Sequence, residues 1–278
     1  MGQHATRSAP RTVQGSLEDA LAQILQKPTP LLAAGRTDSG VHAVGQVVVF
    51  STDWDRPIAD LHRAWNAVLP DDVVVLVLSL ASPGFHPRYD ALSRTYCYTV
   101  WNHPLRNPLS RRNALWVRRP LDLAAMNEAA QLIVGSHDFC TFGTAPRSTP
   151  KGDARDRAGS VKPSTVRHVV RAAWSHVCGQ PSGAYLPAWQ QSLPAGTPGD
   201  ARWQGLVEFT IEANAFLYRM VRSIVGTLLQ VGCGDWTISE FASALHGADR
   251  ALAGPTAVPQ GLCLIGVQYP DKADTKYR

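Results

Sequence analysis

Cysteine is scarce and poorly spaced: five thiols (Cys97, Cys140, Cys178, Cys233, Cys263) in 278 residues, an odd number with no C-x-x-C. Neither a disulfide framework nor a zinc site is indicated, and the thiols read as reduced and mostly buried. No apolar run approaches the roughly 20 residues that span a bilayer, and the opening MGQHATRSAP has no apolar signal core, so a cytoplasmic location and no membrane partner are expected. No internal repeat is present. Acids are missing altogether from one stretch. Between Ala91 and Leu121 there are six arginines (Arg94, Arg106, Arg111, Arg112, Arg118, Arg119) and no Asp or Glu, interleaved with Tyr96, Tyr98, Trp101 and Trp116. Cations displace condensed counterions and flat rings accept unstacked bases, so this mixture suits a nucleic acid as well as a solvated face over core aromatics.

What is present bounds the fold. A chain of 278 residues, 45% hydrophobic, buries a sizeable core as one large domain or two smaller ones. The formal charge of +5 and pI near 9.1 only hint at a polyanionic partner. Met1 to Gln14 reads as a flexible or truncated start. Ser16 stands where an N-cap belongs, with Leu17, Leu21, Ile24 and Leu25 at helical spacing behind it. Short strands are expected at Leu31 to Ala34 and Val44 to Ser51, a helix at Ile58 to Leu69 stopped by Pro70, and a wholly buried strand at Val73 to Leu80. Alternation marks Ser93 to Trp101 as another strand.

The pattern loosens near Arg106 to Pro120, which divides the chain into a domain at 15–110 and another at 111–278. The second should contain helices at Leu123 to Val134 (capped by Gly135), Phe216 to Val231 and Ser239 to Leu245. Its strands should be Arg167 to Val177, Gly205 to Ala213 and Cys263 to Tyr269. Gly143 to Ser164, with five cationic residues against two acids, reads as a basic loop, and Gly179 to Asp200 as a polar insertion. The order of elements favours an α+β fold with a mainly antiparallel sheet.

Chemistry concentrates in Gly35-Arg36-Thr37-Asp38-Ser39-Gly40-Val41-His42-Ala43, a polar hinge between two apolar runs. Gly35 and Gly40 permit a sharp bend that presents Asp38. Asp38-Ser39-Gly40 spells the tripeptide of aspartic proteases, but that mechanism needs a second carboxylate from a second copy, and none exists. His42 with Asp38 lacks a third metal ligand at useful spacing, and a hydrogen-bonded structural histidine is the better reading. Val231-Gly232-Cys233-Gly234 follows a helix, not a strand, so it is no dinucleotide fingerprint. Arg219 and Arg222, three apart, should share a helical face, and Arg222 borders the apolar side, either snorkelling or held for an anion. Tyr96 and Tyr98 share a strand face, where core packing is the default.

The hinge, followed by Gln46-Val47, resembles the catalytic motif of the tRNA pseudouridine synthase A (TruA) family. Phe85-His86-Pro87-Arg88-Tyr89 is similar to that family's RNA-contacting loop. Arg94-Thr95-Tyr96-Cys97-Tyr98 resembles its tyrosine motif, and Asn214-Ala215-Phe216 with Met220-Val221-Arg222 and Gly226 its third motif. The matches run in order over nearly the whole chain. The resemblance implies a two-domain pseudouridine synthase fold with a mainly antiparallel mixed central sheet flanked by helices. It implies Asp38 as nucleophile, Tyr96 as the ring that stacks on the target base and Arg222 as the cation that pairs with Asp38. Arg36, His42, Phe85, His86, Arg88 and Tyr89 would join Tyr96 in binding substrate. The substrate implied is uridine at positions 38, 39 and 40 in the anticodon stem-loop of tRNA, handled by a homodimer without cofactor or metal.

Family members usually open with a YDG strand and a GWQ segment before the helix that here starts near Ser16. Their absence implies a truncated or mis-assigned start, and leaves a non-catalytic tRNA-binding protein or RNA-folding chaperone on the same scaffold as the alternative.

Overall fold

A computed structural model describes residues 11–145, 164–177 and 204–270. The basic loop expected at 143–164 and the polar insertion at 179–200 therefore lie, but for the ends of the first, outside the described residues, as do residues 1–10. The chain forms two compact units. One takes in the described part of Met1–Gly35 together with Val47–Asp90, the other Arg36–Gln46 with the described part of Ala91–Arg278. The stretch 106–120, where the pattern of the sequence loosens, lies inside the second unit.

In the first unit α1 (Val13–Leu25) starts four residues before the position expected from Ser16, because the Thr12 side chain accepts the Gly15 amide at 3.0 Å and caps the helix there. Two short strands follow in this unit, β1 (Leu32–Ala33) and β3 (Val48–Val49); β2 (His42–Ala43), between them in the chain, belongs to the second unit. β1 and β3 pair antiparallel, and α2 (Ile58–Val68) ends one residue before Leu69. Leu17 and Leu21 of α1 pack with Leu61 and Trp65 of α2, and the Trp65 indole donates to the Leu17 carbonyl at 3.2 Å.

Residues 73–80 are not a buried strand. Val73, Val75 and Leu78 pack on this core, whereas Val74, Leu76, Val77 and Leu80 are exposed. An apolar run becomes a strand only where a neighbour takes up its backbone groups. Here side chains of α2 do so: Asn66 Oδ1 accepts the Val75 amide at 2.8 Å, while Asn66 Nδ2 and His62 Nε2 donate to the Val75 carbonyl at 2.9 and 2.6 Å.

The second unit is a mixed seven-stranded sheet with helices. In chain order after β2 come β4 (Ser93–Asn102), β5 (Leu115–Val117), α3 (Leu123–Gln131), β6 (Gly135–Asp138) and β7 (Val166–His176). Then follow β8 (Gly205–Ala213), α4 (Met220–Gly232), α5 (Ile238–His246) and β9 (Leu262–Gln268). The sheet order is β2-β9-β4-β8-β7-β6, with β5 continuing beside β4. Among the described residues only the β2–β9 and β4–β5 pairs are parallel. The fold is thus α+β with a mainly antiparallel mixed sheet.

Register explains the core. Tyr98 faces Phe209 and Val100 faces Val207 across β4 and β8, so one side of the sheet is continuously apolar. It packs on Met126 and Ala130 of α3 and on Ile224 and Leu228 of α4. Burying each large side chain of this kind contributes about 1.5–3 kcal/mol.

Helix α4 begins at Met220, not Phe216. Arg219 sits at φ +62, a left-handed conformation that ends helical continuity, and Tyr218 exchanges backbone hydrogen bonds with Thr144. Arg219 therefore does not share a helical face with Arg222, and its guanidinium lies over the Tyr218 ring, 4.9 Å from the centroid. Among the described residues no helix is long and apolar enough to cross a membrane.

Candidate functional site

The hinge of the sequence is a β-turn. The Val41 amide donates to the Asp38 carbonyl at 3.1 Å, and Gly40, third in the turn, has φ +80, where a side chain would be strained. After the turn β2 pairs with β9, and the Val44 and Gly45 amides both donate to the Leu264 carbonyl at 3.0 and 3.1 Å. Asp38 thus stands at the mouth of a turn whose exit is tied to a central-sheet strand.

Arg222 enters from the first turn of α4. It is the only charged residue in a helix buried nearly all round, which is why its side chain needs anionic and carbonyl partners. Its Nη1 donates to Asp38 Oδ2 at 2.7 Å and its Nε to the Ala257 carbonyl at 2.7 Å, while its own carbonyl accepts the Ala257 amide at 3.0 Å. The two charged side chains are only 13% and 21% exposed, so the pair is largely out of water and weakly screened.

Tyr96 lies on β4 between Ile211 of β8 and Leu264 of β9, where the β4–β9 register shifts between Thr95 and Tyr96. Such irregularities re-aim a side chain. Its half-buried ring meets Phe216 edge-to-face at 5.1 Å. Burial pushes the phenol up to about 12, with Arg94 lowering it and the nearby Asp38 carboxylate raising it. Near neutral pH this residue therefore offers a ring and a proton donor, never a phenolate base.

Of the other residues singled out in the sequence, His42 is exposed and its Nε2 donates to the Arg112 carbonyl at 2.8 Å, which fits a structural histidine. Arg36 is exposed two residues before Asp38. Phe85, His86, Arg88 and Tyr89 belong to the first unit. There His86 organises a tight loop: its Nδ1 accepts the Arg88 and Tyr89 amides at 3.2 and 3.3 Å, and its ring lies 4.3 Å from that of Tyr89. Arg88 and Tyr89 are left exposed, the guanidinium 5.6 Å from the Tyr89 ring centre.

Sequence reasoning missed the segment 254–261. It lies along the start of α4, with the Gly254 amide on Thr227 Oγ1 (3.0 Å), Thr256 beside Ser223 (3.3 Å) and Ala257 on Arg222. No periodicity or charge marks it, and apart from the Thr256 hydroxyl its hydrogen bonds run through backbone groups.

The site of this α+β protein is thus a carboxylate held against a guanidinium largely out of water, beside a tyrosine ring on a mixed sheet. The family model described as tRNA pseudouridine synthase matches residues 2–90 and 129–270, and the chain belongs to that family. It is 36% identical over 263 residues to the tRNA pseudouridine synthase A of Paraburkholderia phymatum, covering 94% of this chain and 83% of the relative. It is 37% identical over 260 residues to that of Burkholderia thailandensis (94% and 82%) and 38% identical over 259 residues to that of Neisseria gonorrhoeae (93% and 83%).

Proposed function

We propose that this protein isomerises uridine to pseudouridine in tRNA, at positions 38, 39 and 40 of the anticodon stem-loop. It would do so as a cytoplasmic, two-domain homodimer without membrane attachment. The observation that carries the reading is the Arg222–Asp38 pair at 2.7 Å, formed between two motifs 184 residues apart in a chain of this family.

A stem uridine is stacked and paired, so it has to be flipped out at a cost of a few kcal/mol, offset by phosphate contacts and stacking. Tyr96 supplies the stacking face. Arg36, His42, Phe85, His86, Arg88 and Tyr89 supply contacts to the RNA. Asp38 acts as the nucleophile, and Arg222 fixes one of its oxygens so that the other is free to meet the substrate. An Asp38 oxygen bonds the nucleoside, the N1–C1′ bond breaks, the uracil turns within the pocket, C5 bonds to C1′, the bond to Asp38 breaks to free the carboxylate, the C5 hydrogen leaves to solvent and N1 gains a proton. Atoms balance without a cofactor, and because nothing but a proton exchanges, the site needs closure more than an activated water.

Unmodified tRNA carrying tritium at uridine C5 tests this. Release of tritium to water, dependent on the protein and lost in Asp38→Ala, is expected. Tight binding of the RNA without release would instead favour a non-catalytic binding protein.

A further inference from the structure

The segment 254–261 touches Arg222 of the ion pair and the turn that carries Asp38, and it is held in part by a residue that the reaction does not use. Tyr98 is fully buried two residues beyond Tyr96, and its hydroxyl donates to the Val258 carbonyl at 2.8 Å. The next residue, Pro259, lies against the hinge turn: a Cβ on Gly40 would come 3.0 Å from its Cγ. The preceding one, Ala257, receives Arg222 Nε. Gly261 presses on the Tyr98 ring so closely that a Cβ there would lie 2.7 Å from Cζ. On the helix side, Gly226 leaves no room between α4 and the Pro255 carbonyl for any side chain.

We infer that Tyr98 is a positioning residue for the reaction: through the Val258 carbonyl it locks the 254–261 strap, which aims the Arg222 guanidinium at Asp38 and braces the Asp38 turn. This rests on the proposed isomerisation. An arginine side chain has several rotatable bonds, and a single contact to Asp38 leaves it free to pivot. Holding Nε on a fixed carbonyl leaves Nη1 one direction to point. The strap has no helix or sheet ladder of its own over 254–258, so its rigidity comes from Thr227, Ser223, Arg222, Arg250 and Tyr98. Of these, Tyr98 anchors it to the central sheet, the element that also carries Tyr96. The hydroxyl thereby ties the base-stacking strand, the cation and the turn into one frame.

Tyr98→Phe tests this, because the ring keeps its volume and only the hydroxyl is removed. Two measurements are made on the full chain. The first is single-turnover pseudouridine formation with tRNA, alongside tRNA Kd. The second is hydrogen exchange at Arg222 Nε–H, its NMR signal identified by its loss in Arg222→Lys. The expected result is a rate lowered by about 10- to 100-fold, the scale of a slight misplacement of reacting groups. The Kd should stay within two-fold, and Nε–H should exchange at least ten-fold faster. An unchanged rate, or unchanged exchange, overturns the inference. If the parent protein forms no pseudouridine at all, the proposed function fails, and the exchange measurement still reports whether Tyr98 holds the arginine.

Discussion

Arg222 donates through Nη1 to Asp38 Oδ2 at 2.7 Å and through Nε to the Ala257 carbonyl at the same distance, so one guanidinium joins the hinge turn to the strap. Both contacts come from a planar fork of donors with fixed geometry, which lysine does not possess. Arg222→Lys is therefore expected to lower the single-turnover rate by about 10²–10³, the usual consequence of removing one preorganised donor from a site shielded from water. Affinity for tRNA should stay within a few fold. Rapid-quench kinetics with enzyme in excess checks this, and a rate within three-fold of the parent would show that a point charge suffices.

Arg36 is exposed beside the turn, and no ion pair is formed by it among the described residues. The proposed role of this cation is in docking the RNA. Arg36→Ala should weaken tRNA binding several-fold and reduce the slope of log K against log salt by about one, with the single-turnover rate at saturating enzyme unchanged. Binding titrations at several salt concentrations measure it. A lost rate with unchanged affinity would place Arg36 in the chemistry.

The fold was legible where a pattern is local. Gly205 to Ala213 alternates and is β8 over the same residues, and Ile58 starts α2 after a proline that fixes the entry. It was illegible where structure depends on a distant partner. Residues 73–80 have strand composition, but their backbone groups go to side chains of α2. The start of α4 is not legible because Thr144, 74 residues before Tyr218, draws it into a bridge and Arg219 turns left-handed. At the site, Asp38, Tyr96 and Arg222 stood out as chemistry-bearing residues in recognisable motifs. Ala257 and Val258 did not, since a carbonyl that receives a side chain leaves no mark in residue identity.

The Tyr96 phenol is pushed up to about 12 against an ordinary value of 10.0, first by burial. A raised value means that the folded state holds the proton more tightly than the unfolded chain does. The corresponding stability is complete below about pH 10 and is lost as pH rises through about 12. Tyr96→Phe should thus flatten the alkaline fall in stability between pH 10 and 12 and remove one phenolate step near pH 12 from the ultraviolet titration. Loss of a step near pH 10 instead would mean that the ring is solvated.

Cys97 and Cys263 face each other across β4 and β9, and burial pushes both thiols up, Cys263 to about 11. Thiolate is the reactive form, so neither should react at pH 8 in the folded protein. Iodoacetamide labelling followed by peptide mass spectrometry should leave both unmodified until denaturant is added. Labelling of either at the unfolded rate would show that the β4–β9 pair opens.

The most direct measurement maps pseudouridine in unmodified tRNA after incubation with the parent protein and with Asp38→Ala. The parent should convert uridines at positions 38, 39 and 40. Asp38→Ala should convert none while binding the same tRNA within a few fold, because the role proposed for the carboxylate lies in the chemistry and not in docking. Conversion that persists without Asp38, or none by the parent on tRNA with an intact anticodon arm, would contradict the assignment.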